Sequence, residues 1–192
     1  ELWEVVNSEV RGFPTPVGNA VGGGRHSEKF ENHPFFQEFL LIPKGKSFEE
    51  KVNVMKEVCT RVGKIIGAEE TNDEGAWQTH LSEVEILDVL ASFNEKADIG
   101  LDIAASSFYD NRNYNYKVIF SRDRQISYVN MLIDKYNLLY VEDPLQEEDF
   151  LGFKLIKKKH LVVGDDLTAS QIKRLETAIK NNSINAMIIK PN

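Results

Sequence analysis

Asp102, Glu142, Asp165 and Lys190 each close a short apolar run that reads as a strand, the runs beginning at Ile99, Leu138, His160 and Ile184. In a parallel barrel, polar side chains at the carboxyl ends of successive strands converge on one mouth. Three carboxylates and one lysine would therefore meet. Three anions in a poorly hydrated site repel one another, and they stay ionised together only if a cation lies among them. A hard, oxygen-seeking ion such as Mg2+ is the simplest remedy. A single acid at a strand end is more often a helix cap or a water-facing group, and Asp143 and Asp166, each beside a candidate ligand, read that way. It is the series of three acids with a lysine that points to chemistry.

The elements that must position these residues follow from periodicity. Phe13 to Gly24 is rich in Gly, Pro and Asn and reads as loop. Phe35 to Pro43 is an apolar strand. Ser47 with Glu50 makes a capping box, and Phe48, Val52, Met55, Cys59, Val62 and Ile66 recur along one helical face. Leu81 to Phe93 is a second helix, Ile99 to Ala105 a buried strand, and Asn113 to Phe120 alternates like a surface hairpin. After a helix at Arg122 to Tyr136 come a strand at Leu138 to Val141, a helix at Glu147 to Lys158, and a strand at His160 to Gly164. A helix at Ser170 to Lys180 and a strand at Ile184 to Lys190 complete the series. This alternation predicts an α/β fold with a parallel sheet covered by helices. No Gly-x-Gly-x-x-Gly joins a strand to a helix, which leaves a (β/α)8 barrel ahead of a nucleotide-binding open sheet.

The composition is that of an ordinary globular chain. Of 192 residues, 42% are apolar and 28% charged, enough for one sizeable core. The net charge of -7 argues against general binding to nucleic acid or anionic membrane, which needs a basic face. No apolar run approaches the roughly 20 residues of a bilayer crossing, and a cytoplasmic location is expected. Cys59, the one cysteine, falls on the apolar helical face and reads as core.

Five ordered stretches, TNDEGAW at 71–77, GLDIAASSFY at 100–109, VEDP at 141–144, GDDLTAS at 164–170 and IIKPN at 188–192, resemble the motifs of enolases, and GGGRH at 22–26 and QEF at 37–39 fit the same order. The resemblance runs from about Phe13 to Asn192. It implies a partial enolase-type (β/α)8 barrel at 13–192 that lacks the last strands, with residues 1–12 ending a linker from an absent amino-terminal capping domain. It also implies that Glu74 is the general acid and Lys190 the general base, with Asp102, Glu142 and Asp165 as Mg2+ ligands. His26, Glu38, Glu142 and Asp165 would face the substrate. Three extra residues separate the glycine-rich loop from Gln37, so His33 is a rival to His26, which is preferred. His80 and His160 match no functional position, and Trp77 reads as packing.

The reaction so implied is the reversible dehydration of 2-phosphoglycerate to phosphoenolpyruvate, a step of glycolysis and gluconeogenesis. A lysine base at pH 7 must titrate roughly three pH units below its usual value, a change worth about 4 kcal/mol, which nearby dications and desolvation favour. Glu74 has the opposite need and must hold a proton. The phosphate-binding loop of enolases lies beyond Lys190, so this stretch by itself is expected to be inactive. The parent is expected to be a homo-oligomer. Two alternatives remain: another carboxylate lyase or racemase of the same superfamily, disfavoured because QEFLLIP carries no lysine pair, and an inactive scaffold that binds partners.

Overall fold

Alternation of inward and outward side chains along a six-stranded sheet decides which residues can reach a common site. The computed structural model describes residue 9 and residues 13–190; the expected linker at 1–12 falls, apart from residue 9, outside the described residues. The sheet is built from β1 (Gly18–Gly22), β2 (Glu38–Pro43), β3 (Ala97–Asp102), β7 (Tyr140–Glu142), β8 (Leu161–Gly164) and β9 (Ala186–Met187), in that spatial order. Its helices are α1 (Phe48–Ile66), α2 (Glu83–Ala91), α3 (Arg122–Tyr136), α4 (Phe150–Phe153) and α5 (Ile172–Asn181). Between β3 and α3 a small antiparallel sheet of β4 (Tyr109–Asp110), β5 (Asn113–Asn115) and β6 (Ile119–Ser121) forms the expected surface excursion.

Phe39, Leu41, Ile99, Leu101, Val141 and Val162 face outward and join helix residues such as Val58, Val62, Leu87, Val129 and Leu132 in one core. The opposite side chains form two inner layers. The register aligns Leu40 with Gly100 and Tyr140 in one, and Glu38 with Asp102 and Glu142 in the next. Because neighbours in register share a face, the polar layer is a direct product of strand pairing.

The sheet is mixed where the sequence predicts a parallel one. β1 pairs β2 and β2 pairs β3 antiparallel, whereas β3, β7, β8 and β9 are parallel. The cause is the number of helical passes: β2 and β3 are separated by two helices, which return the chain reversed, and later strands by one. β1 and β9 pair with different neighbours and leave an open sheet among the described residues. This is the α/β architecture of a partial barrel.

Three further expectations change. The stretch expected to be loop contains β1, whose Ala20 and Val21 are buried despite the surrounding glycines. The helix expected at Glu147 to Lys158 shrinks to α4, because Asn130 of α3 takes the Leu155 carbonyl and the Lys157 amide (3.0 and 2.7 Å) that a longer helix would use internally. The ladder of the last strand is confined to Ala186–Met187. The capping boxes are also redistributed: Ser47 accepts from the Glu50 amide, but the Glu50 carboxylate turns to the Lys46 amide, while Ser82 and Glu85 make the complete reciprocal box on α2. No helix among the described residues is long and apolar enough to cross a membrane.

Candidate active site

The inner layer of acids opens into a cavity of about 600 Å³ lined by Asn19, His26, Gln37, Glu38, Glu74, Asp102, Tyr140, Glu142, Asp165 and Lys190, among others. Every residue that the sequence singles out for proton transfer, substrate contact or metal binding is on that lining, and His33 is not. His33 bonds the Pro34 carbonyl through Nδ1 and lines a separate hollow with His80. Of the two histidines, only His26 lines the cavity that holds the acids.

Glu74 sits on the loop between α1 and α2, and its position is built locally. Asn72 Oδ1 accepts from the amides of Glu74 and Ala76 (3.1 and 3.0 Å), folding the chain into an Asx-type turn with Gly75 at φ +78°. Trp77 then staples the loop to β1, giving its amide to the Ala20 carbonyl and taking the Gly22 amide. Its indole donates to the Cys59 carbonyl at 2.8 Å and lies against Gly63, which bears out the packing role. A Cβ on Gly22 would fall 2.2 Å from Asn72 Nδ2, so the close approach of loop and strand requires glycine there. Asn19 Nδ2 donates to Glu74 Oε2 at 3.0 Å, and His26 Nε2 lies 3.4 Å from Glu74 Oε1 while its Nδ1 faces Asp73 at 3.3 Å.

His26, Glu38 and Glu74 form the one group of three among the described residues whose ligand atoms all lie within 4.8 Å of one another. Asp102, Glu142 and Asp165 share the cavity without closing to that distance, because each is held by a separate donor. Gln37 Nε2 reaches Asp102 Oδ2 at 3.1 Å, the Tyr140 hydroxyl bonds Glu142, and Lys190 Nζ lies 2.5 Å from Asp165 Oδ2. Asp143, buried behind them, accepts from the amides of Asp165, Asp166 and Leu167 and so fixes the turn after β8 to the end of β7.

The electrostatics are those of crowded anions. Burial first, and then Glu74 and Glu142, push Glu38 up to about 8; burial pushes Glu142 and Asp143 up to about 7. Asp102 is driven well above the carboxylate range by burial and by Glu142 and Glu38. Lys190 moves the other way from the expected base: its hydrogen bond to Asp165 raises it above the usual lysine value. An all-oxygen set of mutually repelling carboxylates with a single lysine among them suits a hard dication, so the donor chemistry fits Mg2+.

A family model for the enolase C-terminal TIM barrel domain matches residues 11–192. The chain belongs to the enolase family. Curated enolases similar to it include that of Ehrlichia ruminantium (strain Welgevonden), 36% identical over 199 residues that make up 94% of this chain and 47% of the relative. The enolase of Methanocorpusculum labreanum is 36% identical over 93% of this chain and 49% of its own length. That of Haloquadratum walsbyi is also 36% identical, over 94% and 49%. The chain thus spans about half the length of these enolases. Against the enolase motifs, sequence reasoning missed Asn19, Gln37 and Tyr140 as cavity residues. Tyr140 was legible in principle, since it lies two residues before Glu142 on one strand face, whereas Gln37, next to Glu38, would be turned away by strict alternation. Asn19 reaches the cavity only through the unforeseen β1.

Proposed function

We propose that this chain carries the proton-transfer pair and the metal-binding acids of a Mg2+-dependent enolase that interconverts 2-phosphoglycerate and phosphoenolpyruvate. One observation carries the reading: Glu74 and Lys190 belong to opposite ends of the six-stranded sheet, beside β1 and beyond β9, yet line one cavity with the acids of β2, β3 and β7 and with Asp165, just after β8, between them. An acid and a base on two sides of an anionic floor are what removal of a proton and departure of hydroxide from adjacent carbons require.

Lys190 Nζ would take the proton beside the substrate carboxylate, and Glu74 would donate to the departing hydroxyl. His26 and Asn19 hold the Glu74 carboxyl in place. Asp102, Glu142 and Asp165 would hold the ion, with Gln37, Tyr140 and Asp143 fixing their orientation. Bound Mg2+ would supply charge stabilisation for the carboxylate as negative charge builds upon it. Engaging Asp165 with the ion would also weaken its hold on the Lys190 proton, the change a base needs. The His26, Glu38 and Glu74 trio includes an imidazole and suits Mg2+ less well, which favours it as the proton-transfer side.

On the likeness to enolases alone, the same reading assigns the protein to glycolysis and gluconeogenesis in the cytoplasm, as a homo-oligomer. It also treats residues 13–192 as an incomplete barrel, whose phosphate-binding residues would be supplied from elsewhere. The test is Mg2+-dependent formation of phosphoenolpyruvate by the full-length protein, as its gene encodes it, with Lys190→Ala as control. Turnover lost in the variant supports the proposal. A folded protein that neither turns over the substrate nor binds Mg2+ would support a scaffold instead.

A further inference from the structure

We infer that Tyr140 is a positioning residue that sets which oxygen Glu142 presents to the divalent cation. This inference rests on the function proposed above. Tyr140 and Glu142 are two apart on β7 and share its inner face, with Tyr140 one layer below the acids. Its partner across β3 is Gly100, where an added Cβ would meet Tyr140 Cβ at 3.1 Å, Ile42 Cδ1 at 3.2 Å and Leu40 Cβ at 3.3 Å. The missing side chain of residue 100 is therefore the space against which the tyrosine is seated.

From that seat the phenol hydroxyl donates to Glu142 Oε2. A carboxylate has two oxygens and about four lone-pair directions. A donor on one oxygen leaves the other as the free ligand and removes rotational freedom that the ion would otherwise have to arrest on binding. Asp102 receives the analogous support from Gln37, just before β2, and Asp165 has its backbone amide tied to Asp143. Tyr140 differs in acting along its own strand, from below.

The test is titration calorimetry of Mg2+ into the metal-free, full-length protein without substrate, comparing wild type with Tyr140→Phe. The ring is kept and only the hydroxyl is lost, so the metal-free melting temperature should be unchanged while the Mg2+ dissociation constant rises roughly tenfold. Activity lost at low Mg2+ should recover as Mg2+ is raised. Gly100→Ala, which crowds the same ring but leaves the hydroxyl, should also weaken Mg2+. Wild-type affinity in Tyr140→Phe overturns the inference while leaving the enolase reading intact, provided the wild type binds Mg2+ and turns over substrate. A fall in the metal-free melting temperature that accounts for the weakened binding would reassign Tyr140 to packing. Failure of the wild type to bind Mg2+ overturns both.

Discussion

Lys190 Nζ lies 2.5 Å from Asp165 Oδ2, so the proposed base is paired with a proposed metal ligand. The pairing raises the lysine above its usual value, and a protonated lysine cannot accept a proton. Under the proposed function, Mg2+ and Lys190 would therefore compete for Asp165. Lysine-directed acylation at fixed pH, read residue by residue by mass spectrometry, should modify Lys190 faster when Mg2+ is present. Lys190→Ala should lower turnover by about 10²–10⁴-fold, the usual contribution of a positioned acid or base.

Crowding among the acids predicts the response to metal removal. Ion bound at one hundred times its dissociation constant stabilises a protein by about 2.7 kcal/mol, so EDTA should lower the melting temperature of the full-length protein. Glu142→Gln removes a buried like charge beside Asp102 and Asp165. It should raise the metal-free melting temperature and cancel the Mg2+ increment, a pair of opposite signs that differential scanning calorimetry can read.

His26 and His33 should separate kinetically. His26 approaches Glu74 and lines the cavity, whereas His33 bonds Pro34 and lines a different hollow. His26→Ala should cost roughly 10²-fold in kcat/KM. Its counterpart His33→Ala should stay within about twofold, since it removes only a local contact. The reverse order in steady-state assays would exchange their roles.

Gly63 on α1 is a packing glycine, and a Cβ there would lie 2.4 Å from Trp77 Cε2. Alanine improves helix propensity by about 1 kcal/mol, but overpacking costs about 1–3 kcal/mol. Gly63→Ala should therefore lose up to about 2 kcal/mol in urea unfolding. Because Trp77 fastens the Glu74 loop to β1, turnover should fall as well.

Alkaline stability should follow the buried tyrosines. Burial pushes Tyr128 up to about 12 and raises Tyr114 and Tyr116 further. Groups whose folded values are raised contribute stability that is fully present below their unfolded value near 10 and is lost as pH climbs toward the folded one. Circular dichroism and tyrosinate absorbance should thus change together above about pH 10. Tyrosinate forming well before the loss of structure would contradict the burial.

How far the sequence could be read depended on whether a feature was local. Val62 on α1, and Asp102 at the end of β3, were legible because helical and strand periods are carried by neighbouring residues. β1 was hidden because Gly22 and Gly23 look like turn residues, yet they are glycines for close approach to Asn72 and to the Phe36 carbonyl. The full length of the helix around α4 was overestimated because Asn130, some 25 residues earlier in the chain, intercepts its backbone. Gln37 and Lys190 reach Asp102 and Asp165 from separate strand ends, pairings that are a property of register rather than of spacing, whereas Tyr140 and Glu142 stand two residues apart on one strand.

The antiparallel joint between β1 and β2 has an evolutionary consequence. Gly22 pairs with Glu38, and the Gly23 amide bonds the Gln37 carbonyl, so both ends of the intervening loop are clamped at the cavity rim. A slip of one residue would turn Glu38 out of the cavity, but residues inserted between the clamps leave the register untouched and add little closure entropy. The loop that carries His26 can thus vary in length among descendants while the acid beside it stays where it is, making this rim a tolerant place for lineages to diverge.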